Sequence, residues 1–71
     1  MTQQKINTSF IKLDQLLKLS GVVDTGGQAK HIIESGEVEV NNLPCSCRGK
    51  KLVSGDIVKY KNYLIEVVSD V

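Results

Sequence analysis

Seventy-one residues, 41% of them hydrophobic and 24% charged, describe one small folded domain, too short for two cores and too apolar for a disordered chain. No apolar run approaches the roughly 20 residues that cross a bilayer, and the polar start MTQQKINTS lacks a signal-peptide apolar segment, so the expected location is the cytoplasm, with no membrane partner. The net charge of +1 rules out a uniformly basic or acidic chain, but it is unevenly spread: residues 1–31 balance to +2, 32–46 to −3, 47–61 to +4 and 62–71 to −2.

In chain order, residues 1–8 read as a flexible N-terminal arm, leaving residues 9–71 as a single domain. Phe10, Leu13, Leu16 and Leu17 recur at helical spacing and predict a first helix with one buried stripe. Gly21 ends it as a left-handed cap, and Val22 and Val23 then turn into the core. Thr25 followed by Gln28 is a capping-box pattern. It makes Gly26 and Gly27 the first two helical positions, where backbone N–H groups have no intrahelical partner. Ala29, Ile32 and Ile33 form the buried stripe of this second helix, with Lys30, His31 and Glu34 largely outside it, and Gly36 closes it. From Glu37 to Val40 charged and apolar residues alternate, as on a half-buried strand. Asn41-Asn42 is a turn pair, since asparagine tolerates positive φ. Leu43-Pro44 leads into an irregular basic stretch, and Ser54-Gly55-Asp56 marks another turn. Ile57–Tyr60 and Tyr63–Val68 read as strands joined by a tight turn at Lys61-Asn62. The expected fold is α+β: two N-terminal helices packed on a small, mostly antiparallel sheet.

The ordered set Lys12-Leu13-Asp14, Gly21, Thr25 through Ala29, Gly36-Glu37-Val38-Glu39-Val40-Asn41 and Gly55-Asp56-Ile57-Val58 resembles the RNA-binding domain first recognised in small-subunit ribosomal protein S-four, also called the αL motif. The likeness covers about residues 10 to 60. It departs from that pattern at Thr25-Gly26, where many members carry serine-arginine, and at Asn41-Asn42, where asparagine-glycine is usual. The GGQAK run followed by RGKKL looks like the small stand-alone bacterial subgroup, in which this domain is the whole protein. The resemblance implies a non-catalytic binder of structured RNA, with ribosomal RNA or the ribosome the leading partner, and a monomer is the default expectation for a chain this short. It also implies that the RGKKL loop lies beside the starts of both helices, near Lys12 and Lys30.

The residues themselves carry matching chemistry. A helix start with free N–H groups attracts anions, and Gly26 and Gly27, without β-carbons, let a phosphate come close to the backbone. The competing account is that they permit a tight turn or close packing on the first helix. Gln28, Lys30 and an outward His31 can add donors. Arg48, Lys50 and Lys51 supply three cations within four positions, a guanidinium for bidentate grip and two mobile point charges, unless they are only a solvated loop. Lys59 and Lys61 are equally well explained as protection of a strand edge. Phe10, Tyr60 and Tyr63 are the only aromatic residues, each at least as well used in packing, so recognition by stacked bases is disfavoured and RNA shape is expected to select.

Cys45 and Cys47 fall short of the four ligands of structural zinc. A disulfide at this spacing would be strained, and no metal or cofactor is expected. His31 has no nucleophile paired with it by any recognisable pattern, and no phosphate-loop or dinucleotide glycine signature is present, so no catalytic residues are assigned. Two other readings stand beside the RNA binder. One is an adaptor that meets an acidic protein with the same face; the other is a redox- or metal-responsive switch at the two cysteines.

Overall fold

The computed structural model describes residues 1–71. Nine elements follow in the order β1 Thr2–Ile6, β2 Ile11–Lys12, α1 Leu13–Leu19, α2 Gly26–Glu34, β3 Glu39–Val40, β4 Leu43–Pro44, β5 Lys51–Leu52, β6 Ile57–Tyr60 and β7 Tyr63–Ser69. Five strands make one sheet in the order β1-β7-β6-β3-β4, and β2 pairs with β5 in a separate two-stranded ribbon. Every pairing is antiparallel except β1 with β7. The architecture is therefore α+β with a mostly antiparallel sheet, although two strands come before the helices. No helix is long and apolar enough to cross a membrane.

The sheet turns one face inward through its side-chain alternation. Val40 lies opposite Val58, and Val58 opposite Ile65, so three buried β-branched residues cross the sheet in one row. The neighbouring row, Glu39, Lys59 and Leu64, faces outward. Leu13, Leu16 and Leu17 of α1 and Ala29, Ile32 and Ile33 of α2 meet the inner row and complete the core with Val38, Leu52 and Val67. Each fully buried Leu or Ile stabilises by about 1.5–3 kcal/mol relative to leaving it in water.

The expected N-terminal arm is instead β1. Only Ile6 of this strand is buried, so its side chains announce little; a backbone ladder holds it, with Thr2 opposite Ile65 and Ile6 opposite Ser69. Gln3 Nε2 also donates to Glu66 Oε1 at 3.2 Å, and Asp70 N donates to Ile6 O at 3.0 Å. The first helix likewise begins later than the apolar spacing suggests. Lys12 is extended (φ −76, ψ 148) and serves as its N-cap, because Ile11 and Lys12 are drawn into the ribbon with β5. Phe10 is thereby excluded from the helical stripe and stays 38% exposed. Gly21 ends the helix with φ +83, as expected.

Asn41 and Asn42 both have positive φ (51 and 71) and form the two-residue loop between β3 and β4, the geometry that suits the twist of a hairpin. Asn41 also fastens this hairpin to the turn before β6. Its Nδ2 donates to Asp56 Oδ1 at 3.0 Å, while its Oδ1 accepts from Ile57 N at 2.9 Å. The other Asp56 oxygen accepts from Val53 N at 2.9 Å. Two separated motif residues thus serve the scaffold.

Candidate nucleic-acid interface

The basic loop is fixed by its backbone, which leaves its side chains available. Cys45 N donates to Val38 O at 2.9 Å at one end, and Lys50 N closes a turn onto Cys47 O at 3.2 Å. Two loop carbonyls then cap the first helix: Leu13 N donates to Lys50 O at 2.9 Å and Asp14 N to Arg48 O at 3.1 Å. Gln15 N is taken by the Asp14 carboxylate at 2.8 Å. The start of α1 is therefore occupied from within. Its orphan donors anchor the loop.

Arg48, Lys50 and Lys51 are exposed, and Lys51 lies directly opposite Lys12 in the ribbon. Like charges directly opposite each other on two strands are destabilising, so this juxtaposition does not serve the fold. The buried Leu52 beside them secures the ribbon to the core. The structure thus brings Lys12, Arg48, Lys50 and Lys51 together at one helix start. The same segment also holds the half-buried Cys45, packed against the core, and the exposed Cys47, both free thiols. No group of three or more His, Cys, Asp and Glu side chains is gathered anywhere in the chain.

The second cluster sits at the start of α2. Thr25 Oγ1 accepts from Gln28 N at 3.1 Å, one half of the expected capping box. The returning Gln28 Oε1 accepts from Asp24 N at 2.7 Å, one residue earlier than the usual pattern. Gly26 N and Gly27 N donate to no group of the chain. Neither glycine is required by internal packing: a Cβ on Gly26 would meet nothing within 4 Å, and one on Gly27 only Thr25 Oγ1 at 3.9 Å. Neither has positive φ. Close packing against the first helix is therefore not the reason for the pair. Lys30 and His31 are exposed, and Gly27, Gln28 and His31 line a depression shared with Asp24, Ile32 and Tyr60. No hydrogen bond joins this cluster to the loop; the loop is bonded to the start of α1, and α1 packs on α2.

Sequence reasoning missed the environment of Phe10. Lys51 Nζ stands 4.9 Å from the Phe10 ring centroid, so an exposed aromatic joins the ribbon cluster. Tyr60 and Tyr63 do pair across the last hairpin.

A model of the S4 domain matches residues 4–68. The chain is 43% identical over 58 residues, 82% of each chain, to a Bacillus subtilis protein named probable ribosome maturation protein RlbA. It is 34% identical over 59 residues to the Escherichia coli protein YbcJ, covering 83% of this chain and 84% of YbcJ. The solution structure of YbcJ, described as revealing an αL motif involved in RNA binding, superimposes with a TM-score of 0.74 at 30% identity, over 96% of this chain and 87% of that one.

Proposed function

The chain belongs to the S4 domain family, and from that membership we propose that it is a non-catalytic module that binds structured RNA, ribosomal RNA foremost, through phosphate contacts. One observation carries the reading: the β2–β5 ribbon sets Lys12 opposite Lys51 and holds Arg48 and Lys50 beside them at the start of α1. Cations gathered against mutual repulsion suit a polyanion, whose phosphates offset the cost. The start of α2 supplies a second anchor, where the unpaired Gly26 and Gly27 N–H groups, Gln28, Lys30 and His31 meet the backbone of the same RNA. Spacing between the two anchors selects the RNA by shape. The names of the relatives support this reading, since one is called a probable ribosome maturation protein and the other is described with an RNA-binding motif. We further place the protein in the cytoplasm as a monomer.

The test is a triple variant, Arg48→Ala with Lys50→Ala and Lys51→Ala. All three side chains are exposed, so thermal melting should change little, while affinity for ribosomal RNA falls by about tenfold or more at moderate salt. A folded variant that binds RNA as tightly as the parent removes the ribbon from the interface. Capture of one acidic protein after nuclease treatment, with no RNA bound, would replace this reading with that of an adaptor.

A further inference from the structure

A groove opens beside the ribbon, between the end of β1 and the exposed side of α1. Its apolar walls are Phe10, Ile11 and Leu19, and its polar rim includes Asn7 and Gln15. Leu19 is 55% exposed and Phe10 38%, although Leu13, Leu16 and Leu17 of the same region are fully buried. The fold leaves these two large side chains out of its core. The segment carrying Phe10 is held in place: Thr8 Oγ1 donates to Phe10 O at 2.7 Å, and Ser69 Oγ donates to Thr8 O at 2.7 Å.

Lys5 and Asp70 both lie on the lining of the groove, Lys18 lines its continuation along α1, and Lys51 sits over the Phe10 ring. An apolar slot with amide groups on its rim and cations around it matches one chemical object well. A nucleobase has a flat apolar face and a polar edge, and it comes attached to a phosphate. A purely apolar peptide would use the walls and leave the surrounding cations unpaired.

We propose that this groove receives one unpaired nucleobase of the RNA that the ribbon holds by its phosphates. The base lies against the Phe10 ring and Leu19, and Asn7 and Gln15 meet its hydrogen-bonding edge. Lys51, already stacked on Phe10, ties the base site to the phosphate site, since one residue serves both. The inference rests on RNA being the ligand and adds to that reading a preference for a bulged or looped nucleotide over a perfect helix. It also revises the expectation that recognition by stacked bases is disfavoured, because Phe10 is left 38% exposed outside the core.

Two sets of RNA hairpins test it, one with fully paired stems and one with the same stems carrying a single bulged adenosine or uridine. The parent protein should prefer the bulged set by about tenfold, the scale of one base on an aromatic platform. Phe10→Ala should lose that preference and keep the affinity for paired stems, and Phe10→Tyr should restore it. Arg48→Ala with Lys50→Ala, which leaves Lys51 on the Phe10 ring, should weaken both sets alike. Thermal melting confirms that each variant is folded, and Phe10→Leu replaces Phe10→Ala should the latter unfold. Equal affinity of the parent for both sets, or a preference that survives loss of the ring, overturns the base site while leaving the phosphate reading intact. Failure of the parent to bind either set overturns both. A groove variant that loses a protein ligand with RNA binding unchanged overturns the base site in favour of a protein partner.

Discussion

Asn41 shows how one residue can look like a binding-motif signature and serve the scaffold. Its φ of 51 lies in the left-handed region, where a residue with a Cβ and no polar compensation is strained by roughly 1–2 kcal/mol. Its side chain meanwhile bridges Asp56 and Ile57, and such exposed bonds are worth about 1 kcal/mol net. Two substitutions separate the contributions. Asn41→Gly removes the bridge and keeps the backbone comfortable; Asn41→Ala removes the bridge and adds the strain. The alanine variant should therefore be less stable than the glycine variant by about 1 kcal/mol, a gap of about 4–8 °C in Tm for a domain this small. Both should bind RNA normally below their melting points. Equal Tm values for the two variants would show that the turn is held by something other than this conformation.

At the scale of elements, legibility follows how each element is held. The helices and the β6–β7 hairpin are built on side-chain periodicity, so Leu13-Leu16-Leu17, Ala29-Ile32-Ile33 and Val58 opposite Ile65 are visible as patterns. β1 is held by a ladder to the far end of the chain with one buried residue, and β2 and β5 have two residues each, too few to show any period. The candidate site suffers accordingly. Its cations are readable as a charged run, but the pairing of Lys12 with Lys51 and the exposure of Phe10 depend on those unreadable strands. The start of α2 shows the opposite case, because its glycines are readable and their purpose is not. Nothing inside the molecule would meet an added Cβ on Gly26, and the Gly27 neighbour stands at an ordinary distance. Gly26→Ala with Gly27→Ala should therefore raise stability, by about 0.4–1 kcal/mol per site through the unfolded chain. On the proposed interface the same Cβ atoms stand where a phosphate approaches, so RNA affinity should drop as Tm rises. Calorimetry and binding on the one double variant check both halves. A stabilised variant with unchanged affinity would remove Gly26 and Gly27 from the interface.

The whole molecule carries a net charge of only +1, so the proposed affinity for a polyanion has to come from arrangement. Its longest dimension is 31 Å, while charges at physiological salt interact over about 8 Å before screening dominates. An RNA seated on the ribbon therefore experiences the local cations, and the Asp14 carboxylate at the same helix start, far more strongly than charges on the far side of the molecule. Three to five phosphate contacts predict that log affinity falls against log salt with a slope of roughly −2 to −4. The triple ribbon variant should flatten that slope by about one unit for each phosphate it no longer neutralises. Lys59 provides the internal comparison. It is a cation of the same kind on the outer row of the sheet, directly opposite Glu39, where its charge already has an acidic neighbour. Lys59→Ala changes the net charge as much as any single ribbon substitution and should leave the slope unaltered. If Lys59→Ala and Lys50→Ala flatten it equally, the protein attracts RNA by overall charge alone, and no one face is the binding surface.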